Sequence, residues 1–184
     1  MRSNTHYKIT NKLLKGIPWT DAFKKDVLKG ARDADTMLQL MTLGHYYNAI
    51  FNFGGGLDNI LKEVKGFSPT NIGIVLHIAQ DAATPSHAEV VPTLTHYMWE
   101  GYIDRHIDDI LSQVNLDGKL EGDLDIRELY LKVANHSLGL LNDMLIDWDK
   151  DRDKKFRCHC VECVQLSVDA SNYIIHEADN IFVI

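Results

Sequence analysis

The sequence predicts an all-α protein: a single-domain helical bundle of about seven helices over residues 1–184. Three observations favour this class. Ser, Thr and Pro stand where several apolar segments begin, as they do at helix starts. No segment alternates apolar and polar residues as a half-buried strand does. The chain, with 45% hydrophobic and 24% charged residues, has the composition and length of one globular domain with a full core.

The first 30 residues predict two helices. Asn4 and Thr5 are good N-cap residues, so we expect the first helix to run from them to Lys15, next to a glycine that ends it. The segment 18–20 holds Pro and Thr and opens a second helix. Gly30 is expected to end that helix.

The segment that follows carries weaker signals. Asp33 and Asp35 lead into an apolar helix through residues 37–43. Three consecutive glycines at 54–56 predict a flexible loop. A short helix is expected over residues 57–64.

The central helix has a well-marked beginning and end. Ser68 is a suitable cap and Pro69 suits the first turn, so a helix is expected from there to about Ala83. Residues 84–85, Thr-Pro, end it.

Three longer helices are predicted in the C-terminal half. They cover roughly residues 93–114, residues 126–148, and a last segment that ends near Phe182. The charged run 149–157 is expected to be a connector before that last helix.

Charge and hydropathy limit the partners and the location. The formal net charge of −7 argues against broad electrostatic capture of nucleic acid. No apolar run approaches the length of a transmembrane segment. The first ten residues lack the apolar core of a signal peptide, so the chain as given is expected to be cytoplasmic. A secreted protein trimmed of its signal would have the same sequence.

Five potential metal ligands lie within residues 77–100: His77, Asp81, His87, His96 and Glu100. Two of the pairs, 77/81 and 96/100, are four residues apart, which on a helix places both side chains on one face. One such pair alone would be an ordinary surface pair, but two pairs that flank a third His favour a metal site. Imidazole with carboxylate suits zinc, with iron or manganese as second choices.

With three upstream residues the set grows to eight: His6, Asp35, His45, His77, Asp81, His87, His96 and Glu100. Their order and phrasing resemble the zinc-dependent phospholipase C and fungal-type single-strand nuclease superfamily. The central phrase Leu-His-x3-Asp-x3-Pro-x-His, residues 76–87, is its most recognisable part, and His-x3-Glu at 96–100 resembles its next element. The phrases at 6–10, 30–35 and 45–47 are similar to its N-terminal His, Asp and His motifs. The resemblance covers residues 6–100.

The resemblance implies a multinuclear metal site between helices that holds two or three zinc ions. Asp35, His45, His77 and Asp81 would surround the first, and His87, His96 and Glu100 would hold the second. The third would use His6, a bridging Asp81, and the amino and carbonyl groups of an N-terminal Trp. That Trp is absent here; Met1 stands five residues before His6, and a neutral α-amino group can serve as a ligand.

The activity implied is hydrolysis of a phosphodiester by metal-bound hydroxide, with Asp35 as the catalytic residue that holds or deprotonates the attacking water. The expected substrate is a phospholipid or a small-molecule phosphodiester. The alternatives are a single-strand nuclease or nucleotidase of the same fold, for which nucleic acid is the less favoured partner, and a metal-binding module without catalysis.

Two features leave alternatives open. Asp33 is the alternative to Asp35 as the motif's ligand. If Asp35 is the ligand, Asp33 is expected to cap the helix that follows. The cluster Cys158-His159-Cys160-x2-Cys163 could bind structural zinc or sense redox state, since neighbouring Lys and Arg favour thiolate. Reduced cysteines without a ligand are the favoured interpretation, because the spacing is that of neither a zinc finger nor a disulfide framework.

Overall fold

The computed structural model describes residues 1–37, 66, 68–88, 93–146 and 152–178. Seven α-helices lie in these ranges: α1 Ser3–Leu13, α2 Asp21–Met37, α3 Pro69–Ala82, α4 Pro85–Ala88, α5 Thr93–Leu111, α6 Ile126–Ile146 and α7 Arg152–His176. A 3-10 turn, Leu14–Gly16, extends α1. No described residue lies in a strand, so the predicted all-α class is confirmed. Within the same ranges no helix is long and apolar enough to cross a membrane.

Helix α3 lies at the centre of the bundle. Every residue from Ile72 to Ala82 is buried, and α3 packs against α1, α2, α6 and α7. Its predicted start is confirmed, because the Ser68 hydroxyl accepts a hydrogen bond from the backbone N–H of Asn71 at 3.1 Å and Pro69 occupies the first turn. The helix therefore carries its last turns, where the predicted ligands lie, into the interior.

Helix α2 does not end near Gly30, as predicted, but continues to Met37. Gly30 instead allows α2 and α3 to touch backbone to backbone. A Cβ atom on Gly30 would lie 2.2 Å from the carbonyl oxygen of Thr70, and one on Gly73 would lie 2.1 Å from that of Val27. Glycine is required at both positions because a side chain would prevent the close approach of the two helix backbones.

The continuation of α2 also changes the interpretation of its acidic residues. Asp33 lies inside the helix and pairs with Arg32, with 2.6 Å between Arg32 Nε and Asp33 Oδ1, so the prediction that Asp33 caps a following helix is wrong. The remaining predictions for this segment, a helix through residues 38–43, a loop at 54–56 and a helix over 57–64, lie outside the described residues.

The prediction that Asn4 and Thr5 are N-caps is wrong, because both lie within α1, which begins at Ser3. Their side chains reach across to α5 instead. Asn4 Nδ2 and Thr5 Oγ1 donate to Asp104 Oδ1 at 3.0 and 3.2 Å. These contacts hold α1 against α5 and so bring the two N-terminal turns of α1 beside the ligand-bearing face of α5.

The last helix begins earlier than predicted. Part of the supposed connector 149–157 belongs to α7, which starts at Arg152. Phe156 provides the reason: its ring packs against Trp99 at 4.8 Å and Tyr102 at 5.1 Å between centroids. The predicted ends at Trp148 and Phe182 lie outside the described residues, and α5 ends at Leu111 rather than near residue 114.

The cysteine cluster lies on α7. Cys158 is exposed, whereas Cys160 and Cys163 are fully buried in the core, and none of the three is in a disulfide. Burial raises the pKa of both buried thiols. The prediction that nearby Lys and Arg favour thiolate is therefore wrong for these two residues, because the core that surrounds them disfavours the charged form.

Candidate metal centre

Three neighbouring helices supply the central ligands. The last turns of α3 carry His77 and Asp81, with His77 Nε2 3.2 Å from Asp81 Oδ2. The first half of α5 carries His96 and Glu100, with His96 Nε2 3.1 Å from Glu100 Oε1. The short helix α4 places His87 between the two pairs, since His87 Nε2 lies 3.1 Å from Glu100 Oε1. The four-residue spacing therefore puts each pair on one helix face, and the turn after α3 brings the pairs together.

These residues, with one from α1, form two groups that could hold metal ions. The first, which we call the closed group, is His6, His77 and Asp81; the second, the open group, is His87, His96 and Glu100. In each group one ligand atom per residue lies within 4.8 Å of the others.

The two groups differ in their exposure to solvent. Side chains of the closed group are between 0% and 1% exposed. In the open group His87 is 2% exposed, Glu100 10% and His96 17%. The next residue on α5, Tyr97, is 58% exposed, and its ring meets that of His96 edge-on at 5.9 Å. Solvent therefore reaches the centre from the side of His96.

The groups adjoin at Asp81. The distance from Asp81 Oδ1 to His87 Nε2 is 3.7 Å. The α-amino group of Met1 lies between the groups: it donates to Asp81 Oδ1 and lies 3.2 Å from Glu100 Oε1. The carbonyl oxygen of Met1 lies 3.1 Å from His6 Nε2. The backbone of Met1 thus adds an amine and a carbonyl to the six side chains.

Hydrogen bonds on the far side of each imidazole orient the closed group. His77 Nδ1 donates to the carbonyl oxygen of Ala31 at 2.8 Å, and His6 Nδ1 lies 2.9 Å from Gln80 Oε1. A neutral imidazole that donates through Nδ1 has its lone pair on Nε2, and both Nε2 atoms point at the Asp81 carboxylate, each at 3.2 Å. Two imidazole nitrogens that converge on one carboxylate are the donor set of a metal ion, and their outer hydrogen bonds are those that orient ligating histidines.

The carboxylates are held in the ionised form that a cation needs. Burial opposes ionisation of Asp81, but the electrostatic effect of the nearby His87 and Met1 amino group outweighs it, so the pKa of Asp81 is well below its usual value. Burial also opposes ionisation of Glu100, but hydrogen bonds from His87 and His96 lower its pKa. Two ionised carboxylates within one buried centre attract divalent cations.

Six of the eight predicted ligands are thus brought together. The six are His6, His77, Asp81, His87, His96 and Glu100. The backbone of Asp35 lies in the last turn of α2, but its side chain is not among those described, and His45 lies outside the described residues. The grouping differs in one respect from what the resemblance implies. The resemblance assigns His6 and His77 to different ions, whereas in the structure their rings stack at 3.8 Å and both belong to the closed group.

Sequence reasoning missed the residues that orient the ligands. Ala31 contributes only a backbone carbonyl, which no sequence motif identifies. Gln80 had a visible signal, since it is a polar residue in the otherwise apolar run that precedes Asp81. Its partners lie on other helices, so the pattern alone does not say what it binds.

Comparisons with protein-family models, with curated proteins and with solved structures gave no match to this chain. The functional assignment therefore depends on the ligands and their geometry.

Proposed function

We propose that the chain is a zinc-dependent phosphoric ester hydrolase of phospholipase C type, which cleaves a phosphodiester. The observation that carries the proposal is the approach of two His/carboxylate ligand groups to within 3.7 Å of each other across Asp81 and His87. Two-metal phosphoesterases hold their ions about 3.5–4 Å apart and so need ligand groups that adjoin. A site for a single structural ion needs only one such group.

Zinc is the ion that suits the donors, because the centre combines imidazole nitrogens with carboxylates and contains no thiolate. When bound, zinc lowers the pKa of water to about 7 and polarises phosphoryl oxygens. The residues divide the remaining tasks. Asp81 and the imidazoles of the closed group would hold one ion, and the open group, which faces solvent at His96, would hold an ion on the side from which a phosphate ester can approach. By the resemblance, Asp35 holds the attacking water.

The first experiment is elemental analysis of protein purified without added metal. We expect two or three zinc ions per chain. His87→Ala should remove at least one of them, because His87 belongs to the open group and also adjoins Asp81. The matched control is His106→Ala, since His106 is an exposed histidine further along α5 that belongs to neither ligand group, and its ring lies 4.5 Å from that of Tyr102.

Activity is then measured on a short-chain phospholipid, a chromogenic phosphodiester and a single-stranded oligonucleotide. The proposal is supported if the protein hydrolyses the first two substrates and if His87→Ala loses both this activity and the zinc. Turnover of the oligonucleotide alone would support the nuclease alternative. One metal or none, unchanged by His87→Ala, would overturn the catalytic assignment.

A metal-binding module without catalysis is the second candidate, and the closed group favours it. Structural zinc sites are enclosed by their ligands, whereas catalytic sites keep an open position. The side chains of His6 and His77 are fully buried. Stoichiometric zinc with no turnover of any phosphodiester would identify this second function.

A further inference from the structure

We propose that Asp104 on α5 is a positioning residue, which fixes the first turn of α1 and so brings His6 to the closed group. The inference rests on the proposed metal-binding function of that group. Asp104 lies one turn beyond the ligand Glu100 and belongs to neither ligand group. It would act on the metal only through the helix that it holds.

The first turn of α1 lacks the usual means of stabilising a helix start. Arg2 occupies the N-cap position without a capping hydrogen bond from its side chain, and no acidic residue stands in the first turn. The first N–H groups of a helix have no partner within the helix, and a negative charge near them is favourable. This turn therefore depends on contacts from outside α1.

Asp104 supplies such contacts from α5. Its Oδ1 atom accepts hydrogen bonds from Asn4 Nδ2 at 3.0 Å and from Thr5 Oγ1 at 3.2 Å. Its Oδ2 atom lies 3.9 Å from the guanidinium nitrogen Nη1 of Arg2. One carboxylate thus engages the side chains of residues 2, 4 and 5, and its negative charge lies near the positive end of the α1 dipole. The side chain of Asp104 is only 20% exposed, so water competes weakly for these bonds.

The position of His6 follows from this turn. His6 comes directly after Thr5, and the backbone N–H groups of both residues donate to the carbonyl of Arg2, at 3.2 and 2.8 Å respectively. The first buried apolar residue within α1 is Ile9, and Met1 is buried before the helix begins. Between these two apolar anchors the turn is held by polar contacts, so loss of Asp104 should release it.

Metal binding and docking of the first turn are therefore coupled. In the closed group His77 and Asp81 lie on α3, whereas His6 is contributed by α1. An ion bound to all three would join α1 to α3, and Asp104 joins the same turn of α1 to α5. The coupling is reciprocal, because the factor by which Asp104 strengthens zinc binding is also the factor by which zinc strengthens docking of the turn.

Three variants test the proposal. Asp104→Ala removes the acceptor of the hydrogen bonds from Asn4 and Thr5. Asp104→Asn keeps a carbonyl oxygen that accepts both bonds and loses the charge. Asp108→Ala is the matched control: it removes a carboxylate one turn further along α5, which also pairs with α1, through Lys8 Nζ at 2.6 Å, but is 79% exposed. Exposed ion pairs of that kind contribute little to stability.

The first readout is amide hydrogen exchange at Thr5 and His6 in the metal-free protein, measured by NMR. We expect Asp104→Ala to speed exchange about tenfold, because two hydrogen bonds to a carboxylate are lost. Asp104→Asn should keep most of the protection, and Asp108→Ala should exchange at the wild-type rate. No metal takes part, so this result does not depend on the proposed function. Equal exchange rates in Asp104→Ala and Asp108→Ala would overturn the inference.

The second readout is zinc affinity, measured by competition with a chromophoric chelator and assigned to each group from imidazole nitrogen shifts. Asp104→Ala should weaken zinc at the closed group about tenfold, the same factor as for exchange, and leave the open group unchanged. Asp104→Asn should restore most of the affinity, and added zinc should restore the protection of Thr5 and His6 in Asp104→Ala.

The ratio of the two affinities separates positioning from a general loss of stability. A fall of equal size at both groups, or none at the closed group, would show that Asp104 does not position His6 for metal. Absence of zinc from the wild type would refute the proposed function instead, and the exchange rates of the metal-free variants would still decide whether Asp104 holds the first turn of α1.

Discussion

Replacement of Gly73 by Ala should destabilise the protein although alanine is the better helix former. The new Cβ would lie 2.1 Å from the carbonyl oxygen of Val27 and 2.6 Å from the backbone nitrogen of Ala31. Ordinary contact begins at 3.4 Å, so α2 and α3 would have to separate by about 1 Å to relieve the overlap. Both clashing atoms are backbone, and neither can rotate away.

The size of the effect follows from two opposing terms. Overpacking of a well-packed interior costs about 1–3 kcal/mol, and a clash with backbone belongs at the upper end of that range. The helix propensity of alanine returns about 1 kcal/mol. We expect a net loss of about 2 kcal/mol in the free energy of unfolding, equivalent to a fall in Tm of roughly 4–8 °C for a chain of this size.

The assay is urea unfolding of the metal-free protein. Gly139→Ala is the matched control, because Gly139 is exposed on α6 and a Cβ there would meet nothing within 4 Å. That variant should gain about 0.5–1 kcal/mol. If Gly73→Ala proved as stable as Gly139→Ala, close contact between the two helices would not be the reason for glycine at position 73.

The same variant should weaken the closed group. His77 Nδ1 donates to the carbonyl of Ala31 on α2 at 2.8 Å, and a displacement of about 1 Å would take that bond beyond hydrogen-bonding distance. Zinc affinity at the closed group should therefore fall in Gly73→Ala and remain unchanged in Gly139→Ala, which chelator competition would measure.

Two further predictions concern the supports of the bundle. Ser68→Ala removes the cap that accepts a hydrogen bond from Asn71, and should lower the free energy of unfolding in urea by about 1 kcal/mol. Zinc affinity should not change, because the ligands lie at the other end of α3. A tenfold fall in affinity would contradict this prediction. Asn172→Ala removes two hydrogen bonds of 2.7 Å, to the carbonyls of Leu116 and Gly118. The substitution should lower the free energy of unfolding by about 1–3 kcal/mol and speed amide hydrogen exchange in the loop between α5 and α6. Exchange at the wild-type rate would show that Asn172 does not hold this loop.

Local signals in the sequence were sufficient for much of the fold. The Ser-Pro pair at 68–69 predicted the start of α3, because a cap and a fixed φ act within one turn. The four-residue spacing predicted that His77 and Asp81, and likewise His96 and Glu100, share a helix face, because that is a property of the helix alone.

Features that depend on a second helix were not predictable in the same way. A glycine is compatible with a helix end and with a close crossing of two helices. For Gly30, the choice between the two depends on Gly73, which lies opposite it on α3. Phe156, in the charged run before Arg157, packs against rings on α5 that are distant in sequence, so the run itself gave no sign of that contact. The contact between His6 and Gln80 likewise depends on Ser171, 165 positions beyond His6, because the Gln80 amide also donates to the Ser171 hydroxyl.

The unequal exposure of the two ligand groups has a kinetic consequence. An ion held by the open group would leave past His96, and its residence time would be set by its bonds to the ligands. An ion held by the closed group would be surrounded by side chains that are at most 1% exposed, and would leave only when α1 separates from α3 and α5. Release from the closed group should therefore be limited by local unfolding. Metal in the open group should exchange with solution many times while metal in the closed group stays bound.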